Sequence, residues 1–458
     1  MSIEPVMDAP FAVRGVIEGF YGNPWTREQR LDLVAFLDVH GLNTFVYAPK
    51  DDPLIRRDWR EAYRGADLER IAELIDRCRE RGIAFVYCLS PGLSIRYSAR
   101  DDLAALVAKF ESVAALGVGR FGLLLDDIPT DLQHPEDRAA FGDLVEAHVQ
   151  LVNAVAARLG RDRPLIVCPT QYWGRGDETY VATLGRGIDP QVELFWTGRA
   201  ICAPTLDLDD AQRFAEATGR PPTYWDNYPV NDVAMANELH IGPYRGRDPQ
   251  LWRSARGVIA NGMELFEASK IPFATIADFL ASPETYEPEA SWHRALLEVV
   301  GDEDLDAFAV FADNVRSSCL ATDDAPVVSR ALERFAFRLE QGDGAAAAID
   351  LRDLAGRLLA AAERLLRGPV RNPVLIEECR PWIEAFELGA KAIARTAELA
   401  STGRLEESAT AELRPFLAAL RQRRVRVYGD ALDMFLSDLS VTYVRPGRHL
   451  ALQGGGNS

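Results

Sequence analysis

The sequence predicts an α/β fold, a (β/α)8 barrel followed by an all-α helical bundle. Three observations carry that prediction. From residue 12 to about residue 280, short apolar runs alternate with amphipathic helical runs through eight units. Gly41, Gly82, Gly117 and Gly160 each follow a helical run, where a helix end calls for a left-handed residue. Beyond Pro283 the strand signals stop, and long runs rich in Ala, Leu, Glu and Arg take over with helical period.

The strands are expected at Ala12–Phe20, Asn43–Pro49, Ala84–Ser90, Arg120–Asp127, Leu165–Thr170, Val192–Gly198, Thr223–Asn227 and Gly257–Asn261. Helices are expected between them at Thr26–His40, Leu68–Arg81, Leu103–Leu116 and Glu136–Leu159. Eight such units in ~270 residues fit a closed, TIM-type barrel better than an open sheet. Val230 to Arg256 is poorly patterned, which predicts an irregular seventh unit. The chain then divides into an N-terminal tail (1–11), a catalytic barrel (12–282), a connector (283–290), a helical bundle domain (291–443) and a disordered tail (444–458). Bundle helices are expected at Ala331–Gln341, Ala346–Leu366, Val374–Ala400 and Glu406–Leu439.

The net charge of −18 argues against nucleic acid and against anionic membrane surfaces, because neither would be attracted. No stretch approaches 18 apolar residues. The six cysteines include no CxxC, and Cys88 and Cys168 sit inside apolar strands as buried thiols do. A reducing, cytoplasmic setting is the expectation. Gly117-Val118-Gly119-Arg120-Phe121-Gly122 has the GxGxxG spacing, but it precedes a strand instead of joining strand to helix, so no dinucleotide site is expected. His148 and His240 read as structural.

Leu123-Leu124-Leu125-Asp126-Asp127 is the most informative stretch. A doubly buried strand that ends in acids is how barrel enzymes present catalytic groups. Adjacent carboxylates cannot both ionise freely, so one can serve as acid and the other as base. Of five Asp-Asp pairs, those at 101–102, 209–210 and 323–324 precede amphipathic runs and read as helix-start residues. The other strand ends carry Glu18-Gly19, Lys50, Ser90, Thr170 and Tyr172, Thr197, Trp225-Asp226-Asn227 with Asn231-Asp232, and Asn261. Acids, amides, a lysine and aromatics on one rim are the mixture a sugar site needs. Singly, each has a plain alternative: Lys50 as a solvated loop charge, Trp225 as core, Asn227 and Asn231 as turn residues.

Together these segments resemble glycoside hydrolase family 84, the O-GlcNAcase family. The resemblance rests on Gly15-Val16-Ile17-Glu18-Gly19-Phe20-Tyr21-Gly22, Tyr47-Ala48-Pro49-Lys50-Asp51-Asp52, Leu124-Leu125-Asp126-Asp127-Ile128, Cys168-Pro169-Thr170-Gln171-Tyr172, Leu194-Phe195-Trp196-Thr197-Gly198 and Trp225-Asp226-Asn227, in that order. It implies a retaining exo-β-N-acetylglucosaminidase whose nucleophile is the substrate's own acetamido oxygen, with an oxazoline intermediate and no metal or other cofactor. This is an exception to the two-carboxylate scheme. The resemblance makes Asp126 the group that orients the acetamido N–H, Asp127 the general acid and base, and Tyr172 a contact of the reacting centre. It makes Gly19, Lys50, Trp225, Asn227, Asp232 and Asn261 sugar-binding. The implied partner is a GlcNAc-bearing glycoconjugate, an O-GlcNAc glycoprotein or glycopeptide among them. The helical domain would line a groove for a peptide aglycone or form a homodimer contact. The competing readings are a hyaluronidase-type endo-hydrolase, which −18 disfavours against a polyanion, and a catalytically silent sugar-binding protein.

Overall fold

The structure, a computed structural model, describes residues 10–322 and 325–442. The eight expected strands all form: β1 (Val13–Glu18), β2 (Thr44–Tyr47), β3 (Ala84–Leu89), β4 (Arg120–Leu124), β5 (Leu165–Cys168), β6 (Glu193–Trp196), β7 (Thr223–Asp226) and β8 (Gly257–Asn261). They pair in parallel in sequence order, and β1 also pairs with β8, from Val13↔Gly257 to Ile17↔Asn261, which closes the barrel. Closure leaves no sheet edge. Val13, Ile17, Val46, Val86, Ile166, Phe195 and Ile259 fill the interior from successive strands, so the barrel is a packed core with its polar groups at one end.

The barrel helices are α1 (Arg27–Val39), α2 (Gly65–Glu80), α3 (Arg100–Ala114), α4 (Pro135–Ala140), α5 (Leu144–Leu159), α6 (Thr179–Gly187), α7 (Leu208–Thr218) and α8 (Phe266–Ala281). All four helix-end glycines have positive φ, Gly41 at 65°, Gly82 at 68°, Gly117 at 101° and Gly160 at 78°. The run expected as one helix over Glu136–Leu159 is two. The Asp143 side chain accepts from the Glu146 amide at 2.8 Å and starts α5 afresh. The seventh unit is irregular as expected: between β7 and β8 only two short 3-10 turns form, Val233–Met235 and Leu251–Arg253. Asp101-Asp102 and Asp209-Asp210 fall in the first turns of α3 and α7, while Asp323-Asp324 lies outside the described residues.

The remaining helices are α9 (Pro288–Val300), α10 (Asp302–Ala312), α11 (Pro326–Glu340), α12 (Gly344–Arg367), α13 (Pro373–Ser401), α14 (Leu405–Gln422) and α15 (Ala431–Thr442). Two departures from expectation stand out. The expected connector is itself largely helical, with a 3-10 turn at Pro283–Thr285 and the start of α9 at Pro288. The expected Glu406–Leu439 helix is broken, because Arg424, Tyr428 and Gly429 take positive φ. Tyr428 compensates by burying its ring and bonding through its amide to Asn314 O at 2.8 Å and through its hydroxyl to Phe386 O at 2.6 Å. Residues 1–9 of the expected 1–11 tail and the expected tail 444–458 lie outside the described residues, while Phe11, at the end of the first of these, is buried with its ring against Phe279.

The chain forms two compact units. One holds the barrel, residues up to Val233 and Tyr244–Ser291; the other holds Ala234–Pro243 and the chain from Trp292 onward. The short segment is fixed inside the second unit by backbone acceptors. Asn237 O takes the Trp382 indole N–H at 3.0 Å and the Arg426 amide at 2.7 Å, and Ile241 O takes the Trp292 indole N–H at 2.6 Å. Among the described residues no helix is long and apolar enough to cross a membrane.

Candidate active site

The ladder runs one residue past β4, with the Leu125 amide on Cys168 O at 2.8 Å, and then delivers Asp126 and Asp127 at the barrel rim. Successive side chains of an extended strand point to opposite faces. Asp127 breaks that alternation by adopting a left-handed φ of 53°, which Asp tolerates better than most residues. Both carboxylates therefore face one cation. Lys50 Nζ lies 2.5 Å from Asp126 Oδ2 and 3.7 Å from Asp127 Oδ2.

The two acids sit in unlike settings. Asp126 is buried; one oxygen takes Lys50, and Asp126 Oδ1 has no hydrogen-bond partner. Asp127 is about a third exposed, with a side-chain exposure of 35%. Its Oδ1 accepts the Tyr172 hydroxyl at 2.9 Å and its Oδ2 accepts the Tyr21 hydroxyl at 2.8 Å. Burial disfavours its charge, but Lys50, the two phenols and Arg56 outweigh that and hold Asp127 below the ordinary carboxylate range. Burial likewise opposes the charge on Lys50, yet Asp126 more than offsets it and the ammonium is held above its usual range. Beneath the acids lie the buried thiols of Cys88 and Cys168, both pushed up by burial.

The walls come from β1, β7 and β8. Lys50 Nζ sits 5.6 Å from the centre of the Trp225 ring. Gly19 lies against the same indole, and a Cβ there would fall 2.6 Å from Trp225 Cζ2, so only glycine fits. The Gly19 amide donates to Asn261 Oδ1 at 3.2 Å, Asn261 Nδ2 donates to Asn227 Oδ1 at 3.0 Å, and Asn227 Nδ2 donates to Ile201 O at 2.9 Å. Asp232 Oδ2 accepts the Tyr21 amide at 2.7 Å, and burial raises its pKa. Gly19, Lys50, Asp126, Asp127, Tyr172, Trp225, Asn227, Asp232 and Asn261 are thus brought into one connected network.

Other strand-end polar residues are used structurally. Asp226 is buried in a bidentate pair with Arg247 and takes the Tyr244 hydroxyl at 2.5 Å, tying down the seventh loop. Glu18 is clamped by Arg30, at 2.8 Å on each oxygen, and by the Trp25 amide. Thr170 bonds to Leu125 O at 2.7 Å and Thr197 to Ala200 O at 2.8 Å. Two residues that hold Asp127 escaped assignment from sequence. Tyr21 had a signal, since it follows the first strand end. Arg56 had none; it donates to the Tyr21 hydroxyl at 3.0 Å from an irregular loop. Among the described residues no three His, Cys, Asp or Glu side chains gather as metal ligands.

The NAGidase family model, described as beta-N-acetylglucosaminidase, matches residues 14–313. The chain belongs to that family. Two relatives, each a protein O-GlcNAcase, from Rattus norvegicus and Mus musculus, are 35% identical over 274 residues. Those matches cover 58% of this chain and 30% of each relative, so the chain spans under a third of their length. Among solved structures, a mutant of the O-GlcNAc hydrolase of Thermobaculum terrenum is 33% identical with a TM-score of 0.90, covering 94% of this chain and 95% of that one. The structure of CpGH84B is 27% identical with a TM-score of 0.82, covering 94% and 77%. As a β-N-acetylglucosaminidase family member, the chain combines the barrel with the helical region over nearly the whole of the first of these structures.

Proposed function

We propose that this protein is a retaining exo-β-N-acetylglucosaminidase that removes terminal β-linked GlcNAc through an oxazoline intermediate. The observation that carries this reading is Asp126 Oδ1, a buried carboxylate oxygen with no partner. A buried acceptor left unpaired is costly, and an acetamido N–H would satisfy it. That bond would aim the acetamido oxygen at the anomeric carbon and stabilise the positive charge that grows on the amide. Asp127 then gives its proton to the departing oxygen as the C1–O bond breaks. In the second half it takes a proton from the water that opens the ring.

Asp127 is set up as an anion, since both its oxygens accept hydroxyl protons. Work as an acid requires one donor to leave. Tyr172 is the candidate, because its hydroxyl can turn to the bound sugar. Gly19, Lys50, Trp225, Asn227, Asp232 and Asn261 bind the ring in this reading. Tyr21, Leu93, Trp173, Ile201 and Val233 are exposed apolar side chains on the loops after β1, β3, β5, β6 and β7, which supports a polypeptide aglycone over a polyanionic glycan. A reducing, cytoplasmic setting belongs to the same reading and is supported by four buried free thiols, Cys78, Cys88, Cys168 and Cys379. A homodimer contact through the helical unit is proposed from the resemblance alone, and sedimentation tests it.

The experiment compares aryl N-acetyl-β-glucosaminides carrying zero to three fluorines on the acetamide, with an O-GlcNAc peptide and hyaluronan alongside. Fluorine weakens the acetamido nucleophile, so the rate must fall steeply along the series. Hydrolysis indifferent to fluorine would require an enzyme nucleophile and end this mechanism.

A further inference from the structure

Tyr21 and Tyr172 hold the two oxygens of Asp127 in different ways. The Tyr21 hydroxyl oxygen receives Arg56 Nη1 at 3.0 Å. A guanidinium cannot accept a hydrogen bond, so the phenolic proton cannot point back at it. That proton is directed to Asp127 Oδ2, 2.8 Å away. Arg56 Nη2 also reaches Asp127 O, at 3.5 Å, and its guanidinium carbon lies 5.6 Å from the centre of the Tyr21 ring. The Tyr172 hydroxyl bonds to Asp127 Oδ1 at 2.9 Å with no cation behind it in its bonding, so its proton is free to swing to another acceptor.

Resting on the glycosidase reading above, we propose that Arg56 is a positioning residue for the acid/base step. Through Tyr21 it marks Asp127 Oδ2 as the oxygen without the proton, and leaves Oδ1 as the one that delivers and recovers it. As the glycosidic bond breaks, the Oδ1–H bond breaks and the leaving alcohol gains the proton, the electron pair staying on Asp127. In the second half, attack of water on C1 returns a proton to Oδ1. Throughout, Oδ2 keeps the Tyr21 bond and the carboxyl cannot rotate.

The charged and titratable groups around Asp127 come from five loops: Tyr21 after β1, Lys50 and Arg56 after β2, neighbouring Asp126 after β4, Tyr172 after β5 with Cys168 at the end of that strand, and Asp232 after β7. Lys50 is already committed to Asp126 at 2.5 Å, and Asp232 to the Tyr21 amide. Arg56 is the cation on this list that acts on Asp127 through a hydroxyl.

The test is the pH dependence of kcat, which reports the enzyme–substrate complex, for wild type, Arg56→Gln, Arg56→Lys, Tyr21→Phe and the Tyr21→Phe/Arg56→Gln double variant. Each is assayed on a glycoside with an acidic phenol and on an alkyl glycoside. Removing a donor from the anion raises the pKa of Asp127, so Arg56→Gln moves the basic limb upward by about half to one pH unit. It costs roughly tenfold on the alkyl glycoside and little on the activated one. Arg56→Lys, which keeps a donor and a charge, returns the limb toward wild type, and the double variant moves it no further than Tyr21→Phe alone. An unmoved limb, or equal losses on both glycosides, overturns the inference. Additive shifts in the double variant overturn the route through Tyr21. Should Arg56→Gln fail to fold, Arg56→Lys and Tyr21→Phe decide by the same limb. If wild type hydrolyses neither glycoside, the functional reading falls and takes this inference with it.

Discussion

Lys50 and Asp126 form a buried ion pair at 2.5 Å, with side-chain exposures of 4% and 6%. Neither charge has water to fall back on, so each depends on the other. The pair couples the stability of the barrel rim to the chemistry proposed there.

Lys50→Met is therefore expected to destabilise the protein by about 3–5 kcal/mol, the cost of stranding one buried charge. Adding Asp126→Asn should recover much of that loss without recovering activity. The sign with pH is definite. The folded pKa of Lys50 is raised, so its contribution is complete below the unfolded value of about 10.4 and is lost only above it. Thermal unfolding alongside kcat/KM checks both halves; an unchanged Tm would mean that the pair is not held as described.

The two aspartates should separate in a leaving-group series. Asp127→Asn should keep much of its first-step rate on an acidic phenol and lose about 10²–10⁴-fold on serine-linked or alkyl sugars. Azide should partly restore its turnover by replacing the activated water. Asp126→Asn should be slow with every leaving group and deaf to azide. Equal losses in both variants, with no anion rescue, would remove the division of roles.

His148 gives a pH prediction remote from the site. Burial pushes its pKa down to about 3, and its ring nitrogens meet the hydroxyls of Tyr180 at 2.8 Å and Tyr97 at 2.9 Å. The unfolded chain takes up this proton near pH 6.5 while the folded one does not. Between those values the unfolded state binds more protons, so stability falls as the pH falls from about 6.5 toward 3. His148→Gln should flatten the acid side of a plot of Tm against pH, by an amount on the order of a few kcal/mol across that window. Parallel curves for variant and wild type would contradict the neutral, buried ring.

The barrel was legible because its signals are local. Apolar runs such as Leu123-Leu124-Leu125 mark strands buried on both faces, and glycines such as Gly41 and Gly82 punctuate the helices. The site was legible because a barrel collects strand ends whatever their separation in sequence, so Lys50 and Asp126 meet across 76 positions. What escaped lacks such a signal. Asp226 sits at a strand end like its neighbours, but a distant Arg247 decides that it points into the core. Arg56 lies in a loop without period, and its direction depends on Tyr21. The break before α15 escaped because the flanking helical pattern keeps its phase while Tyr428 finds acceptors far along the chain.

The placing of Ala234–Pro243 with the helical unit means that the polypeptide passes between units three times, after Val233, after Pro243 and after Ser291. A single proteolytic nick at any one of these points releases neither unit, since the other two crossings remain covalent. Severing the chain after Ser291 by gene truncation is a different operation. It removes Trp292, Trp382 and Arg426, and so strips the donors from Asn237 O and Ile241 O a few residues beyond Asp232. Stopping synthesis there leaves the loop that carries a sugar-binding candidate without those partners, whereas cutting the finished protein at the same place leaves them in position.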